Sequence, residues 1–76
     1  MLILYTKDDC AYCEKVRRAF ADRRIPHEER NIKNPEYLKE VQEHHAHTMP
    51  FLVDTSANVA MGESDDIIDY ASEHSF

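Results

Sequence analysis

The cysteine pair Cys10 and Cys13, separated by two residues, constrains this chain more than any other feature. The pair follows an apolar run from Leu2 to Tyr5 and precedes a stretch with helical periodicity. If Ala11 opens a helix, Cys10 lies at its N-terminus, where free N–H groups and the helix dipole favour a thiolate. Cys13 then lies one turn further along, in reach of a mixed disulfide at Cys10. This arrangement predicts thiol-disulfide exchange.

Apolar periodicity predicts an α/β chain in the order βαβαββα, a four-stranded mixed sheet with three helices. The first strand, from Leu2 to Tyr5, is continuously apolar, as expected for a strand buried on both faces. In the first helix the predicted apolar face comprises Tyr12, Val16, Ala19 and Phe20. The later predicted elements are a weak strand within 27–32, a helix from Pro35 to about His45 with Asn34 as its cap, a hairpin of 51–53 and 59–61, and a helix capped by Ser64. The core positions predicted in the last two helices are Tyr37, Leu38, Val41, Ile67, Ile68 and Ala71.

Length and charge limit the classes of function. We expect one domain over residues 1–76, because a chain of 76 residues has room for a single core. The formal net charge is −6, and most of the nine basic residues lie between Lys7 and Arg30 among acidic ones. A nucleic-acid-binding surface needs an extended basic face, so we expect no nucleic-acid partner.

The cysteine usage and the absence of long apolar runs bear on the compartment. The first apolar run is too short for a signal peptide, and no run has the length of a membrane span. Two cysteines that close such a small loop suit a reducing compartment better than a secreted disulfide framework. We therefore expect a cytoplasmic monomer with no membrane partner.

Zinc sites use the same cysteine spacing, so metal binding is an alternative. Zinc needs further ligands, for which His44, His45 and His47 are the candidates. A histidine cluster at a helix end is more often solvated surface, and the strand–helix context of the cysteines favours redox chemistry. We expect no metal.

Thr48-Met49-Pro50 directly precedes a predicted strand. Alone, such a proline is ordinarily a turn or strand-entry device. Combined with the cysteine pair it predicts a cis Met49-Pro50 bond, which would expose the Met49 backbone to an extended peptide beside the reactive thiol.

With these motifs the chain resembles a glutaredoxin of the thioredoxin-fold superfamily over essentially its whole length. The matching segments are Tyr5-Thr6-Lys7, Cys10-Ala11-Tyr12-Cys13, Thr48-Met49-Pro50-Phe51 and Met61-Gly62-Glu63-Ser64-Asp65-Asp66. The resemblance implies a thioredoxin-like fold and a glutathione-dependent oxidoreductase that reduces protein disulfides or glutathione mixed disulfides. It also implies that Cys10 is the nucleophile and Cys13 the resolving thiol.

The same resemblance assigns a glutathione site. Lys7 and Tyr12 would flank the tripeptide, and Met49, held by Pro50, would offer its backbone to the cysteinyl unit. Ser64 and Asp65, at the start of the last helix, would receive the γ-glutamyl end. A helix N-terminus suits an α-carboxylate, and an aspartate suits an α-amino group.

Three departures from the family pattern open alternatives, and one is that the basic or amide residue often found before the Thr48-Met49-Pro50 element is not evident. Ala11 replaces a common proline, and Glu63 replaces the second glycine of a usual pair, which places a carboxylate near an anionic tripeptide. One alternative is a dithiol electron donor of the ribonucleotide-reductase type, recharged by thioredoxin reductase. Another is a glutathione-dependent iron–sulfur carrier, since some glutaredoxins without that proline hold a cluster between two protomers.

Overall fold

The computed structural model describes residues 1–74, and all seven predicted elements are present in that part of the chain. Their bounds are β1 Leu2–Thr6, α1 Ala11–Asp22, β2 Glu28–Asn31, α2 Pro35–Glu43, β3 Phe51–Asp54, β4 Val59–Met61 and α3 Ser64–His74. None of these helices has the length and hydropathy that a membrane crossing requires.

The strands form one mixed sheet in the order β2-β1-β3-β4. β1 pairs in parallel with β2, and β3 pairs antiparallel with both β1 and β4. The pairing of Tyr5 with Phe51 brings the end of β1 beside the start of β3. Because α1 follows the end of β1, this register places the cysteine pair next to the segment that enters β3.

β1 is buried on both faces, as its continuous apolar sequence predicts. Leu2 and Leu4 belong to a core cluster shared with α1 and α3, whereas Ile3 and Tyr5 belong to a second cluster that includes Val41 of α2. Side chains alternate across a strand, so one apolar strand supplies both clusters. The sheet therefore has α1 and α3 on one face and α2 on the other.

Two positions predicted to face the core are exposed instead. Tyr12 is 66% exposed and Leu38 is 38% exposed, although the helical spacing placed both on apolar faces. Val16 and Phe20 of α1 are buried as predicted. Tyr12 lies in the first turn of α1, ahead of the buried residues of that helix, so the spacing alone overstated the length of the buried stripe.

Helix ends follow the predicted signals with one shift. The Asn34 side chain accepts a hydrogen bond from the Glu36 N–H at 3.0 Å, and Pro35 opens α2. At the start of α3 the Glu63 carbonyl accepts from the Ile67 N–H at 2.9 Å. Glu63 therefore holds the N-cap position that the sequence assigned to Ser64, which becomes the first helical residue.

Candidate active site

Cys10 is the N-cap of α1, in extended backbone conformation with φ −122° and ψ 105°. Its Sγ accepts a hydrogen bond from the Cys13 N–H at 3.1 Å, and the two sulfurs form a disulfide. The Cα atoms are 5.2 Å apart, within the range that such a bond requires. When the disulfide is reduced, the same N–H donor and the helix dipole face a sulfur that can carry negative charge.

The two sulfurs differ in access. Cys10 is 9% exposed and Cys13 is fully buried. A disulfide of another molecule therefore reaches Cys10 first, and Cys13 can act only on a bond already formed at Cys10. This difference in exposure is consistent with the nucleophile and resolving roles that the resemblance implies for Cys10 and Cys13.

The Met49-Pro50 segment lies directly against this thiol. The peptide bond between the two residues is cis, as predicted, and both side chains are buried. The Met49 carbonyl oxygen lies 3.7 Å from the Cys10 Sγ. Main-chain groups of Met49 are thus within reach of any chain whose sulfur is joined to Cys10.

The two aspartates before the pair, Asp8 and Asp9, do not cap α1, because Cys10 itself occupies the cap position. The Asp8 carboxylate instead contacts the Lys33 ammonium at 2.9 Å and accepts from the Asn31 amide at 3.0 Å. The hydrogen bond from Lys33 is the main cause that lowers the pKa of Asp8. The Lys33 ammonium therefore balances the negative charge of Asp8.

All six residues that the resemblance assigned to glutathione line one groove of about 590 Å³. They are Lys7, Tyr12, Met49, Pro50, Ser64 and Asp65. We call this depression, between the first turn of α1, the segment before β3 and the start of α3, the central groove. Its other lining residues are Lys15, Thr48, Gly62 and Glu63.

Cys10 itself opens into an adjacent groove of about 760 Å³ on the side of Asp9 and Arg17. Lys7 lines both this groove and the central groove. Lys7 is therefore the residue common to the groove that contains Cys10 and the central groove. A third, smaller groove of about 300 Å³ also includes Lys7 and Met49 and is bounded by the exposed Leu38.

Lys15 is a groove residue that the sequence analysis missed. Its ammonium contacts the Asp65 carboxylate at 2.5 Å and so joins α1 to α3. The available signal was its position three residues after Tyr12, because residues three apart share a helix face. An exposed Tyr12 therefore implies a Lys15 directed to the same groove.

Beneath the thiol, a polar network fixes the end of β1. The Tyr5 hydroxyl donates to the Glu40 carboxylate at 2.6 Å, and Arg30 donates to the same oxygen at 2.7 Å. Burial, reinforced by Glu40, raises the pKa of Tyr5 to about 12. Tyr5 shares its apolar cluster with Cys10 and Met49, so this network supports the buried side of the site.

Of the three clustered histidines, His47 lines the third groove together with Lys7 and Met49. The ring of His44 packs against Phe51, with the ring centroids 5.7 Å apart. Within residues 1–74, no three His, Cys, Asp or Glu side chains are grouped as a metal site would require.

Comparisons with known proteins agree with this fold. A family model described as "Glutathione S-transferase, N-terminal domain" matches residues 4–75. NrdH-redoxin of Escherichia coli, a glutaredoxin-like protein with a thioredoxin-like activity profile, is similar in structure with a TM-score of 0.78 and 21% identity over 91% of each chain. The thioredoxin-like protein BC3987 has a TM-score of 0.76 at 15% identity, over 93% of this chain and 99% of its own. A search of curated proteins gave no match. The predicted glutaredoxin-like thioredoxin fold is confirmed.

Proposed function

The chain belongs to the glutathione S-transferase N-terminal domain family, and we propose that it is a dithiol oxidoreductase that reduces disulfides through Cys10 and Cys13. One observation carries this proposal. Cys10 caps α1 with its Sγ 3.1 Å from the Cys13 N–H, while Cys13 lies buried behind it. An accessible sulfur at a helix N-terminus, backed by a second sulfur within bonding distance, is suited to exchange rather than to structural crosslinking.

The reaction proceeds in two displacements. The Cys10 thiolate attacks one sulfur of the substrate disulfide, forms a mixed disulfide and releases the other substrate sulfur as a thiolate. Cys13 then loses its proton and attacks the Cys10 sulfur, forming the Cys10–Cys13 disulfide and releasing the second substrate thiolate. Two electrons pass to the substrate, and an external thiol or reductase must return them to the protein.

The helix terminus acts mainly on release. If it lowers the basicity of Cys10 by three orders of magnitude, the thiolate fraction at neutral pH rises about thirtyfold, but intrinsic nucleophilicity falls about twentyfold. Attack by Cys10 then gains little. Displacement of Cys10 from a mixed disulfide gains directly, because a less basic sulfur leaves faster.

We further propose glutathione as the reductant and glutathionylated or disulfide-bonded proteins as substrates. The convergence of Lys7, Tyr12, Met49, Ser64 and Asp65 on the central groove supports this choice. Glutathione lying there would have its sulfur beside Cys10, since the Met49 oxygen is 3.7 Å from the Cys10 Sγ. In this cycle a glutathione thiolate, in place of Cys13, attacks the glutathione mixed disulfide at Cys10. Glutathione disulfide forms, and the Cys10 thiolate is released.

Glu63 favours a second candidate, a dithiol donor for an enzyme such as ribonucleotide reductase that is recharged by thioredoxin reductase. Its exposed side chain lines the central groove at the N-cap of α3, where its carboxylate opposes an anionic tripeptide. The similarity in fold to NrdH-redoxin, with its thioredoxin-like activity profile, suits this candidate.

Two coupled assays separate these functions. In one, a small glutathione mixed disulfide is turned over with glutathione and glutathione reductase. In the other, insulin disulfides are reduced with thioredoxin reductase as the electron source. Turnover in the first assay supports the glutathione cycle, and turnover only in the second supports the alternative. Failure in both, with dithiothreitol also unable to drive insulin reduction through the protein, would overturn the dithiol proposal.

A further inference from the structure

The central groove contains two ammonium groups, Lys7 and Lys15, and two carboxylates, Glu63 and Asp65. Glutathione carries two carboxylates and one ammonium, so its charge of −1 meets no net attraction there. The carboxylate and the ammonium of its γ-glutamyl end lie on the same carbon atom. A site for that end therefore needs an acceptor and a donor side by side.

Lys15 and Asp65 are such a pair. The Lys15 Nζ lies 2.5 Å from the Asp65 Oδ1, with α1 supplying the cation and α3 the anion. Lys15 contacts one carboxylate oxygen, which leaves the other to accept from a ligand ammonium. The Lys15 ammonium has three N–H groups and can donate to a carboxylate while it keeps its contact with Asp65.

The Lys15–Asp65 contact contributes little to the stability of the helix pair. The Lys15 side chain is 48% exposed and that of Asp65 is 79% exposed, and ion pairs so exposed contribute little to folding. Buried side chains already hold α1 against α3, among them Phe20 and Ile67. A second polar contact, from Arg23 to the Ser72 hydroxyl at 2.7 Å, joins the same helices outside the groove.

We propose that Lys15 is a specificity-determining residue for the γ-glutamyl end of the thiol substrate. Lys15 donates to the α-carboxylate, while Asp65 accepts from the α-ammonium. The positive charge of Lys15 thereby compensates the negative charge of Glu63 at this end of the groove. This inference rests on the proposed function, because it assigns a substrate class to the same groove.

The test uses single-turnover exchange in the Cys13→Ser background. A fluorescent peptide carries glutathione, γ-glutamylcysteine or cysteinylglycine as a mixed disulfide on its one cysteine. Cys10 attacks the sulfur of the small thiol and releases the peptide thiolate, which is measured. Lys15→Met is compared with Lys15→Arg and with Arg23→Met. The Arg23 variant removes one positive charge and one α1–α3 contact away from the groove.

We expect Lys15→Met to raise the half-saturating concentration about two- to fivefold at low ionic strength for the two γ-glutamyl substrates. The rate at saturation should not change. The cysteinylglycine substrate should react as it does with the Cys13→Ser protein that retains Lys15. Lys15→Arg should retain most of the affinity, and Arg23→Met should alter none of the three substrates.

Three results would overturn the inference. The half-saturating concentration of Lys15→Met could be unchanged, or it could rise equally for all three substrates. It could also fall, which would mean that Lys15 obstructs access of the substrate to Asp65. In each of these cases exchange at Cys10 continues, so the proposed function survives. If no mixed disulfide reacts even with Lys15 in place, both the inference and the proposed glutathione cycle fail together.

Discussion

The two ends of the central groove are built on different principles. The thiol end adjoins Cys10, and the positions of Cys10 and Met49 follow from the main chain of α1 and of the segment before β3. At the α3 end, Glu63 and Asp65 are exposed, and charge on flexible side chains makes the contacts. Backbone-defined positions suit chemistry at a sulfur, and under the proposed function the exposed charges at the other end would recognise the small thiol.

This difference predicts how substitutions act. Changes at the thiol end should remove the reaction or alter folding, because no other group can take the place of a positioned sulfur. Changes at the exposed end should alter affinity by small, salt-dependent factors, because water and ions screen each charge.

The largest effects are expected at the two cysteines. Cys10→Ser should abolish all exchange, because no other sulfur is accessible at the α1 N-terminus. Cys13→Ser should leave reduction of glutathione mixed disulfides largely intact and remove reduction of protein disulfides, since only the latter needs the second sulfur. Parallel assays with a glutathione mixed disulfide and with insulin measure the two activities.

The Cys13→Ser result decides between the reductants. Comparable loss of both activities in this variant would mean that the two-thiol route carries all turnover. The glutathione cycle would then be wrong, and the reductase-coupled alternative would replace it.

At the opposite end, Glu63→Gly should lower the Michaelis constant for glutathione severalfold at low ionic strength and change the maximal rate less. Two unit charges about 6 Å apart interact by roughly 0.7–2.8 kcal/mol at an effective dielectric of about 20–80, before screening by salt. The gain should therefore shrink as salt is added. Steady-state kinetics over a range of ionic strength give both quantities.

Asp66→Asn is the matched control for Glu63→Gly. Asp66 lies in the first turn of α3, three residues after the N-cap Glu63, but is not among the groove-lining residues. An equal gain in both variants would reflect the net charge of the protein, and no gain in Glu63→Gly would show that glutathione does not bind at this end.

The same division explains what could be predicted from the sequence. The order βαβαββα, the cysteine geometry and the cis Met49-Pro50 bond follow from backbone-level signals: apolar runs, a two-residue spacer and a proline before a strand. The Lys15–Asp65 contact could not be found this way, since the two residues are 50 positions apart and their meeting depends on how α1 packs on α3. Leu38 was misplaced for a related reason, because helical spacing gives the apolar face of α2 but not how much of that face other elements cover.

The hydrogen bond from Tyr5 to Glu40, which joins β1 to α2 near the thiol end of the groove, can be tested by substitution of Tyr5. Tyr5→Phe removes the hydroxyl that donates to Glu40 and should cost about 1 kcal/mol of stability at neutral pH, with little change in exchange rate. In the folded protein the pKa of Tyr5 is raised from 10.0 to about 12, chiefly by burial. The folded state thus holds this proton more tightly, so the stabilisation is complete below pH 10 and is lost as the pH rises toward 12.

Chemical denaturation of both proteins across this range measures the effect of Tyr5. The stability advantage of the original protein over Tyr5→Phe should narrow between pH 10 and 12. Tyr37→Phe keeps the Tyr5 hydroxyl and should show the same alkaline decline as the original protein. A constant difference between the original protein and Tyr5→Phe at all pH values would contradict the raised pKa.

The smallest effect is expected at Tyr12, which lies between the two ends of the groove. Because its ring is 66% exposed, Tyr12→Ala should change the free energy of unfolding by less than about 0.5 kcal/mol. The ring lines the central groove beside Met49, so its loss should raise the Michaelis constant for glutathione about twofold through lost apolar contact, and Tyr12→Phe should restore it. Thermal unfolding and steady-state kinetics separate the two quantities. A clear fall in melting temperature with unchanged kinetics would mean that Tyr12 packs in the core after all, as its place in the helical spacing first indicated.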